Sequence, residues 1–200
     1  IDASRKRAAR AMVEAGLPST EEEVYRLQKE LTDKYGPYHL VFNEIVNKYH
    51  ADNKLVTIAY KAYNSSEVSE IKLFPYVVTT LKELKDKGCK VFLLTVGVHE
   101  RQERKINILG LKPYFDEIVI NDQEIGLLVE DCVKDLLRRH NIMPGEAVMV
   151  GDKARDELRI AKLQGMITIQ MLHGRFKNEP AVNECDRPDY KIKRIFQIPT

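Results

Sequence analysis

Four short apolar segments, separated by stretches with helical spacing, run through the sequence from Phe74 onward. They cover 90–94, 117–120, 147–150 and 167–171. Apolar residues at helical spacing predict helices over about 77–88, 99–109, 132–137 and 154–164. Buried strands that alternate with amphipathic helices are typical of a parallel sheet covered on both faces. We therefore predict an α/β fold with a Rossmann-like, doubly wound core, and an edge strand at 190–192.

The first 70 or so residues follow a different pattern. Apolar positions recur at helical spacing, as at Val24, Leu27 and Leu31, and no strand pattern interrupts them. Thr20 and Glu23 have the spacing of a capping box, and Gly36 is placed to end the helix that follows. Further signals are a helix stop at Gly16 and Pro18, and a cap at Asp52. We predict four short antiparallel helices.

Composition excludes several classes of partner. Hydrophobic residues make up 44% and charged residues 31% of the 200 residues, and the net charge is +2. That charge is too small to indicate nucleic acid or a membrane surface. The three cysteines are far apart, so they predict neither a disulfide framework nor a zinc site. No apolar run approaches the roughly 18 residues of a membrane span, and we expect a cytoplasmic protein.

Polar groups follow two of the predicted strands at the point where each strand ends. Thr95 ends one apolar run, and Asp152 follows the run that ends at Gly151. The carboxyl ends of parallel strands line the ligand crevice of an open α/β sheet, so these side chains are placed to share a ligand. The Thr95 hydroxyl and the backbone N–H groups of Val96 and Gly97 are suited to a phosphate oxygen, although a Thr before a Gly turn is also common structurally.

The segment that begins at Asp152 is rich in carboxylates. Asp156 and Glu157 follow four and five residues later, where a helix is predicted to begin. One interpretation is structural, because acidic side chains stabilise a helix N-terminus. The other is a Mg²⁺ site, because carboxylate oxygens at this spacing suit an octahedral cation that keeps several waters. We favour the metal site.

Taken together and in this order, the segments Val91 to Gly97 and Val148 to Glu157 resemble the second and fourth motifs of the haloacid dehalogenase superfamily. The stretches 102–105, 108–116 and Gly165-Met166 are also similar to that family, so the resemblance covers nearly the whole chain. It implies that Thr95 binds the transferred phosphate and that Asp152 holds Mg²⁺, with Asp156 or Glu157 supporting it. It also implies an all-helical cap domain over 1–72 and a Rossmann-like core over 73–200.

The first motif of that family, Asp-x-Asp-x-Thr, has no match in this sequence. It supplies the nucleophile and the general acid/base, from a strand between those ending at Thr95 and Asp152. Because the chain opens on Ile1 rather than Met, we expect that strand to lie upstream. We assign Asp2 to a linker or cap role rather than to nucleophilic attack. Without the strand, we expect poor folding and two open inner sheet edges.

The third motif also departs from the family pattern. It places a Lys a few residues after a Gly, whereas Gly126 is followed here by Leu127, Leu128 and Val129, with Val129 where that Lys is expected. Phosphate beside several carboxylates needs a cation, since like charges repel at short range. Lys134 is one candidate, and a solvated helix-face role is the alternative for it.

The resemblance implies a Mg²⁺-dependent phosphatase that acts on a small phosphorylated metabolite through an aspartyl-phosphate. Two alternatives are a non-catalytic protein that keeps the fold as a binding module, which the Val129 position favours, and a haloacid dehalogenase-type hydrolase. No Gly-rich nucleotide loop and no His pair at metal-binding spacing occurs. We expect a small phosphorylated substrate and no nucleic acid or membrane partner. A homodimer is compatible with the sequence.

Overall fold

The computed structural model describes residues 2–36, 39–65, 71–122 and 127–199. The chain divides into two units, Ile1–Ser69 and Glu70–Thr200. The first unit contains helices only in its described residues, and the second contains the strands. The assignment of 1–72 as a cap and 73–200 as a catalytic core stays a prediction.

The helices of the first unit are held by a common apolar core. They are α1 Asp2–Glu14, α2 Glu21–Tyr35, α3 Val41–Lys48 and α4 Lys54–Tyr63. Met12, Val24 and Ile45 from three of these helices are at most 1% exposed and lie in one cluster. Val24 was predicted on the apolar face of its helix, and Leu27 and Leu31 of the same face are partly buried against this cluster, because residues three and four apart share a side of the helix.

The helix caps of this unit agree with most of the predicted signals. The Thr20 hydroxyl accepts the Glu23 N–H at 3.2 Å, as in a capping box. In a complete capping box the Glu23 carboxylate would accept the Thr20 N–H. Here it accepts a hydrogen bond from the Ser19 hydroxyl at 3.1 Å instead. The predicted cap at Asp52 is displaced by one residue: Asn53 occupies the N-cap position of α4, while the Asp52 carboxylate accepts the N–H of Lys54, the first residue of the helix, at 2.8 Å.

The second unit alternates helices and strands, as predicted. Its elements are α5 Val77–Asp86, β1 Phe92–Val96, α6 His99–Ile108, β2 Glu117–Asn121, α7 Val129–Arg139, β3 Val148–Gly151, α8 Glu157–Leu163, β4 Ile167–Met171 and β5 Tyr190–Ile192. Helix α8 begins three residues later than expected because a turn occupies 154–156. The α/β fold class is confirmed, and the predicted edge strand at 190–192 is β5.

All strand pairs in this unit are parallel, and they form two sheets. Strand β1 pairs with β2, while β3, β4 and β5 pair in that order. Leu94 of β1 and Met149 of β3 pack against the same cluster of Val133, Leu137, Ala161 and Met166. Within the described residues, β1 and β3 do not pair with each other. In that part of the chain, each of the two strands therefore has a single strand neighbour.

Strand burial follows this pairing. Strand β4 has partners on both sides, and its Thr168, Ile169 and Gln170 are at most 2% exposed. The described residues of β1, which pairs on one side only, are half-buried or exposed. None of the helices in the described part of the chain is both long enough and apolar enough to cross a bilayer.

Asp189 connects β4 to the segment before β5 through hydrogen bonds, and these contacts should make the stability of the fold depend on pH. Its Oδ2 accepts from the hydroxyl and N–H of Thr168 at 2.7 and 2.8 Å, and the Lys162 ammonium lies 3.0 Å from Oδ1. These contacts, the Thr168 hydroxyl first, hold the pKa of Asp189 below its ordinary value. A depressed carboxyl pKa contributes stability above its unfolded pKa of about 4, and that stability is lost as pH falls through the folded pKa.

We therefore expect the urea midpoint of the wild type to fall between pH 6 and pH 3 more steeply than that of Asp189→Asn. Asp33, exposed on α2, supplies the control, because Asp33→Asn should keep the wild-type slope. Equal slopes for the wild type and Asp189→Asn would contradict this assignment.

Candidate active site

Thr95 lies at the carboxyl end of β1, where the chain turns into α6. Its side chain is half-buried, and no hydrogen-bond partner for its hydroxyl occurs among the described residues. The following loop is held by Gln102, whose Nε2 donates to the Val96 carbonyl at 2.8 Å. A Cβ at Gly97 would lie 2.6 Å from that nitrogen, and Gly97 has φ +141°. The positive φ favours glycine here, and a larger residue would also displace the Gln102 amide from the Val96 carbonyl.

The backbone N–H of Gly97 is already used in the fold. It donates to the carbonyl of Asn121, the last residue of β2, at 3.1 Å. Of the groups predicted to bind phosphate, this one is therefore engaged in joining the ends of β1 and β2. The Thr95 hydroxyl, in contrast, has no hydrogen-bond partner among the described residues and is therefore available to a ligand.

A cation that the sequence argument did not single out lies next to this loop. Lys105 on α6 is half-buried, and its ammonium donates to Gln102 Oε1 at 3.1 Å. Burial lowers the pKa of Lys105, and the neighbouring Arg101 charge adds to that effect. The one available signal was the three-residue spacing between Gln102 and Lys105, which places both on one side of a helix. A lysine at such a position is normally solvated, so the spacing alone did not indicate burial.

Asp152 follows β3 directly. Its carboxylate makes no hydrogen bond or ion pair with the described residues. The residue before it, Gly151, leaves room for the Glu157 side chain, because a Cβ there would lie 2.7 Å from Glu157 Oε1. The unpartnered carboxylate thus sits at a strand end whose backbone is packed closely by the first residue of α8.

Glu157 stabilises the loop that contains Asp152 through a hydrogen bond to its backbone. Its Oε1 accepts the N–H of Lys153 at 2.8 Å. Burial raises the pKa of Glu157 above its ordinary value against the lowering effect of this hydrogen bond, and the charge of Asp152 adds to the rise. Two carboxylates therefore oppose each other here, with one of them partly removed from water.

Asp156 has a different environment. Its carboxylate forms an ion pair with the Lys153 ammonium at 3.0 Å, and its side chain is 40% exposed. The Lys153 ammonium also lies 5.6 Å from the centre of the Phe176 ring. The metal-binding role predicted for Asp156 would require this pair to open, and it stays a prediction, as does that of Glu157.

The third-motif region is apolar where the described residues cover it. Val129 begins α7 and packs against the cluster of Val133 and Leu137. Lys134 pairs with Glu130 at 2.5 Å and is 57% exposed. Its predicted catalytic role stays a prediction, and its ammonium is engaged on the surface of α7. Gly126 lies outside the described residues.

A comparison with known families decides the family. The sequence profile of haloacid dehalogenase-like hydrolases matches residues 8–170. The chain belongs to this family. The resemblance of this sequence to the family is thereby confirmed.

Related hydrolases are similar over almost the whole chain. A glyceraldehyde 3-phosphate phosphatase of Methanopyrus kandleri is 34% identical, over 98% of this chain and 86% of the relative. A glyceraldehyde 3-phosphate phosphatase of Methanocaldococcus jannaschii is 31% identical, over 99% of this chain and 87% of the relative.

Solved structures of hydrolases share the fold. A predicted phosphoglycolate phosphatase from Haemophilus somnus has a TM-score of 0.71 at 16% identity, over 98% of this chain and 88% of that chain. A haloacid dehalogenase-family phosphatase from Thermococcus onnurineus has a TM-score of 0.58 at 20% identity, over 96% and 85%.

The donor set of this hydrolase suits Mg²⁺. In the part of the chain that the structure describes, no group of three or more His, Cys, Asp or Glu side chains is arranged around a metal position. Magnesium, however, is usually held by one or two carboxylates together with waters and substrate phosphate. Asp152 offers a free carboxylate, and a cation beside it would relieve its repulsion with Glu157. These residues therefore fit the ion.

Proposed function

We propose that this protein is a Mg²⁺-dependent phosphatase that hydrolyses a small phosphorylated metabolite. The observation that carries the proposal is a pair of polar groups without partners among the described residues, the Thr95 hydroxyl and the Asp152 carboxylate, at the carboxyl ends of β1 and β3. The residues Leu94 and Met149 of these strands pack on one helix cluster. Ligands of α/β folds bind at such strand ends.

The proposed substrate is a three-carbon sugar phosphate of the glyceraldehyde 3-phosphate class. Two relatives at 34% and 31% identity, each covering at least 98% of this chain, bear the name glyceraldehyde 3-phosphate phosphatase. The identity extends over both units of the chain, including the helical one. We propose that the activity named for these relatives is shared by this protein.

Each residue of the site then has a defined role. The Thr95 hydroxyl donates to a non-bridging phosphate oxygen and orients the phosphoryl group. Asp152, with Glu157 behind it, would hold Mg²⁺. The ion, when bound, offsets the negative charge of the phosphoryl group. Lys105 and Gln102 maintain the loop that presents Thr95.

No residue of this sequence lies in a motif that would identify it as the nucleophile. The family resemblance implies an aspartate that attacks phosphorus, releases the alcohol and forms an aspartyl-phosphate, which water then hydrolyses. No Asp-x-Asp pair occurs in the 200 residues. We therefore assign positioning and charge neutralisation to the described residues, and the covalent step to none of them.

Phosphate release by the full-length protein tests this proposal. Glyceraldehyde 3-phosphate, phosphoglycolate, phosphoserine and an aryl phosphate would each be assayed with Mg²⁺ and with EDTA. We expect release that requires Mg²⁺ and that is fastest with glyceraldehyde 3-phosphate. Arg138→Ala, on the exposed side of α7, is the control and should retain full activity.

Other outcomes would favour the alternative functions. If no phosphate is released from any substrate while phosphate esters still bind, the protein is a binding module with this fold. Chloride release from a 2-haloacid without Mg²⁺ would instead identify a dehalogenase. Either result would overturn the proposed phosphatase.

A further inference from the structure

Gln170 is a buried amide in the middle of a sheet. It lies on β4, which is paired on both sides, and is 2% exposed. Its register partner is Gly151, the residue before Asp152. An amide side chain loses free energy on burial unless it finds hydrogen-bond partners. Gln170 finds one in the site itself, because its Nε2 donates to the Asp152 carbonyl oxygen at 3.3 Å.

The peptide group that joins Asp152 to Lys153 is held at both of its polar ends. Gln170 binds the carbonyl of this peptide, and Glu157 Oε1 accepts its N–H at 2.8 Å. The C=O and N–H of a trans peptide point in opposite directions. The two side chains therefore hydrogen-bond to opposite edges of one peptide group, and rotation of that group would break both hydrogen bonds.

Fixing this peptide fixes the direction in which the Asp152 side chain leaves the backbone. The carboxylate itself makes no hydrogen bond or ion pair with the described residues, so no side-chain contact among them orients it. The direction of its Cα–Cβ bond, from which the carboxylate extends, is set by the backbone on either side of the Cα, which β3 holds before it and the peptide bound by Gln170 and Glu157 holds after it. A tilt of this peptide would move the carboxylate away from a bound ion.

We propose that Gln170 is a positioning residue that aims the Asp152 carboxylate at Mg²⁺ by holding the peptide after it. The inference rests on the proposed function, because it takes Asp152 as the Mg²⁺ ligand. Residues that orient metal ligands from behind typically contribute about 10- to 100-fold to metal affinity. Gln170→Met, which keeps the length of the side chain and removes its donor, should weaken Mg²⁺ binding within that range.

Thr168 supplies a matched control on the same strand. It is two residues from Gln170, is 0% exposed, and is also a buried polar side chain. Its hydroxyl bonds Asp189 at 2.7 Å rather than the Asp152 loop. Thr168→Val should lower stability by removing a buried hydrogen bond, and should leave the Mg²⁺ dissociation constant unchanged.

The experiment measures Mg²⁺ binding by isothermal titration calorimetry in the full-length protein, with Asp152→Asn as the reference for lost binding. The inference is supported if Gln170→Met weakens binding at least tenfold while Thr168→Val does not. Equal binding by the wild type and Gln170→Met would overturn it. Equal weakening in Gln170→Met and Thr168→Val would also overturn it, because the effect would then follow from lost stability.

Two further results separate this inference from the proposed function. If the wild type itself binds no Mg²⁺, the proposed metal site fails and the inference fails with it. If Gln170→Met does not fold, Gln170→Asn takes its place, since its shorter side chain keeps the amide but withdraws it from the Asp152 carbonyl. Wild-type affinity in that variant would overturn the inference while leaving the proposed function intact.

Discussion

Asp152→Asn in the full-length protein is expected to lower kcat for glyceraldehyde 3-phosphate by about 10²- to 10³-fold, in line with the loss of one preorganised electrostatic contact in other enzymes. The response to Mg²⁺ should disappear with it. The Asp152 carboxylate has no hydrogen bond or ion pair among the described residues, so its replacement breaks no contact there. The substitution also removes a charge that opposes Glu157. We therefore expect the thermal midpoint to stay the same or rise.

Phosphate release and thermal unfolding, each with and without Mg²⁺, check this prediction. Asp156→Asn is the matched comparison, because it makes the same chemical change four residues away. Asp156 is paired with Lys153 at 3.0 Å and 40% exposed, so its loss should cost much less activity. If Asp156→Asn were as damaging as Asp152→Asn, the metal would depend equally on both carboxylates. Full activity in Asp152→Asn would contradict the proposed site.

Gly151→Ala is the second substitution with a large expected effect. The added Cβ would lie 2.7 Å from Oε1, 2.9 Å from Cγ and 3.2 Å from Cδ of Glu157. Glu157 cannot move away freely, because its Oε1 holds the Lys153 N–H. Overpacking of this kind typically costs about 1–3 kcal/mol of unfolding free energy. Displacing Glu157 should also release the peptide after Asp152 and weaken Mg²⁺ binding.

Urea unfolding and Mg²⁺ titration of four variants measure this effect: Gly151→Ala, Glu157→Ala, the combination of the two, and Gly145→Ala. Gly145→Ala is the control, since nothing lies within 4 Å of a Cβ placed there, and its stability should be unchanged or slightly higher. The effect of Gly151→Ala should shrink when Glu157→Ala is present as well, because the colliding side chain is then gone. The same loss of stability in both backgrounds would show that the collision is not the cause.

Much of the fold could be predicted from local pattern. Runs such as Val148 to Val150 are short and apolar, which favours strands between helices, and the periodicity of 24–35 is typical of a helix face. The family resemblance also came from the sequence, through the order of the Thr95 and Asp152 motifs. These features depend on residues near one another in the chain, and a sequence records such neighbours directly.

The contacts around the site could be predicted less well. The spacing of Asp156 and Glu157 did not show that they would make different contacts with Lys153. Asp156 pairs with its ammonium at the surface, whereas Glu157 accepts a hydrogen bond from its backbone N–H. The predicted capping box formed only in part, because Ser19 offered the Glu23 carboxylate another partner. In each case two partners lay within reach along the chain, and packing selected one.

The sequence by itself determined the α/β class, the positions of the strands, and the placement of Thr95 and Asp152 at strand ends, because periodicity and apolar length act over a few residues. Only the tertiary structure decided that the strands divide into two sheets and that Gly97 donates to Asn121. Likewise, only it brought Gln170 to the Asp152 carbonyl. These contacts join residues 18 or more positions apart, and the distances between such residues are set by how the helices and strands pack.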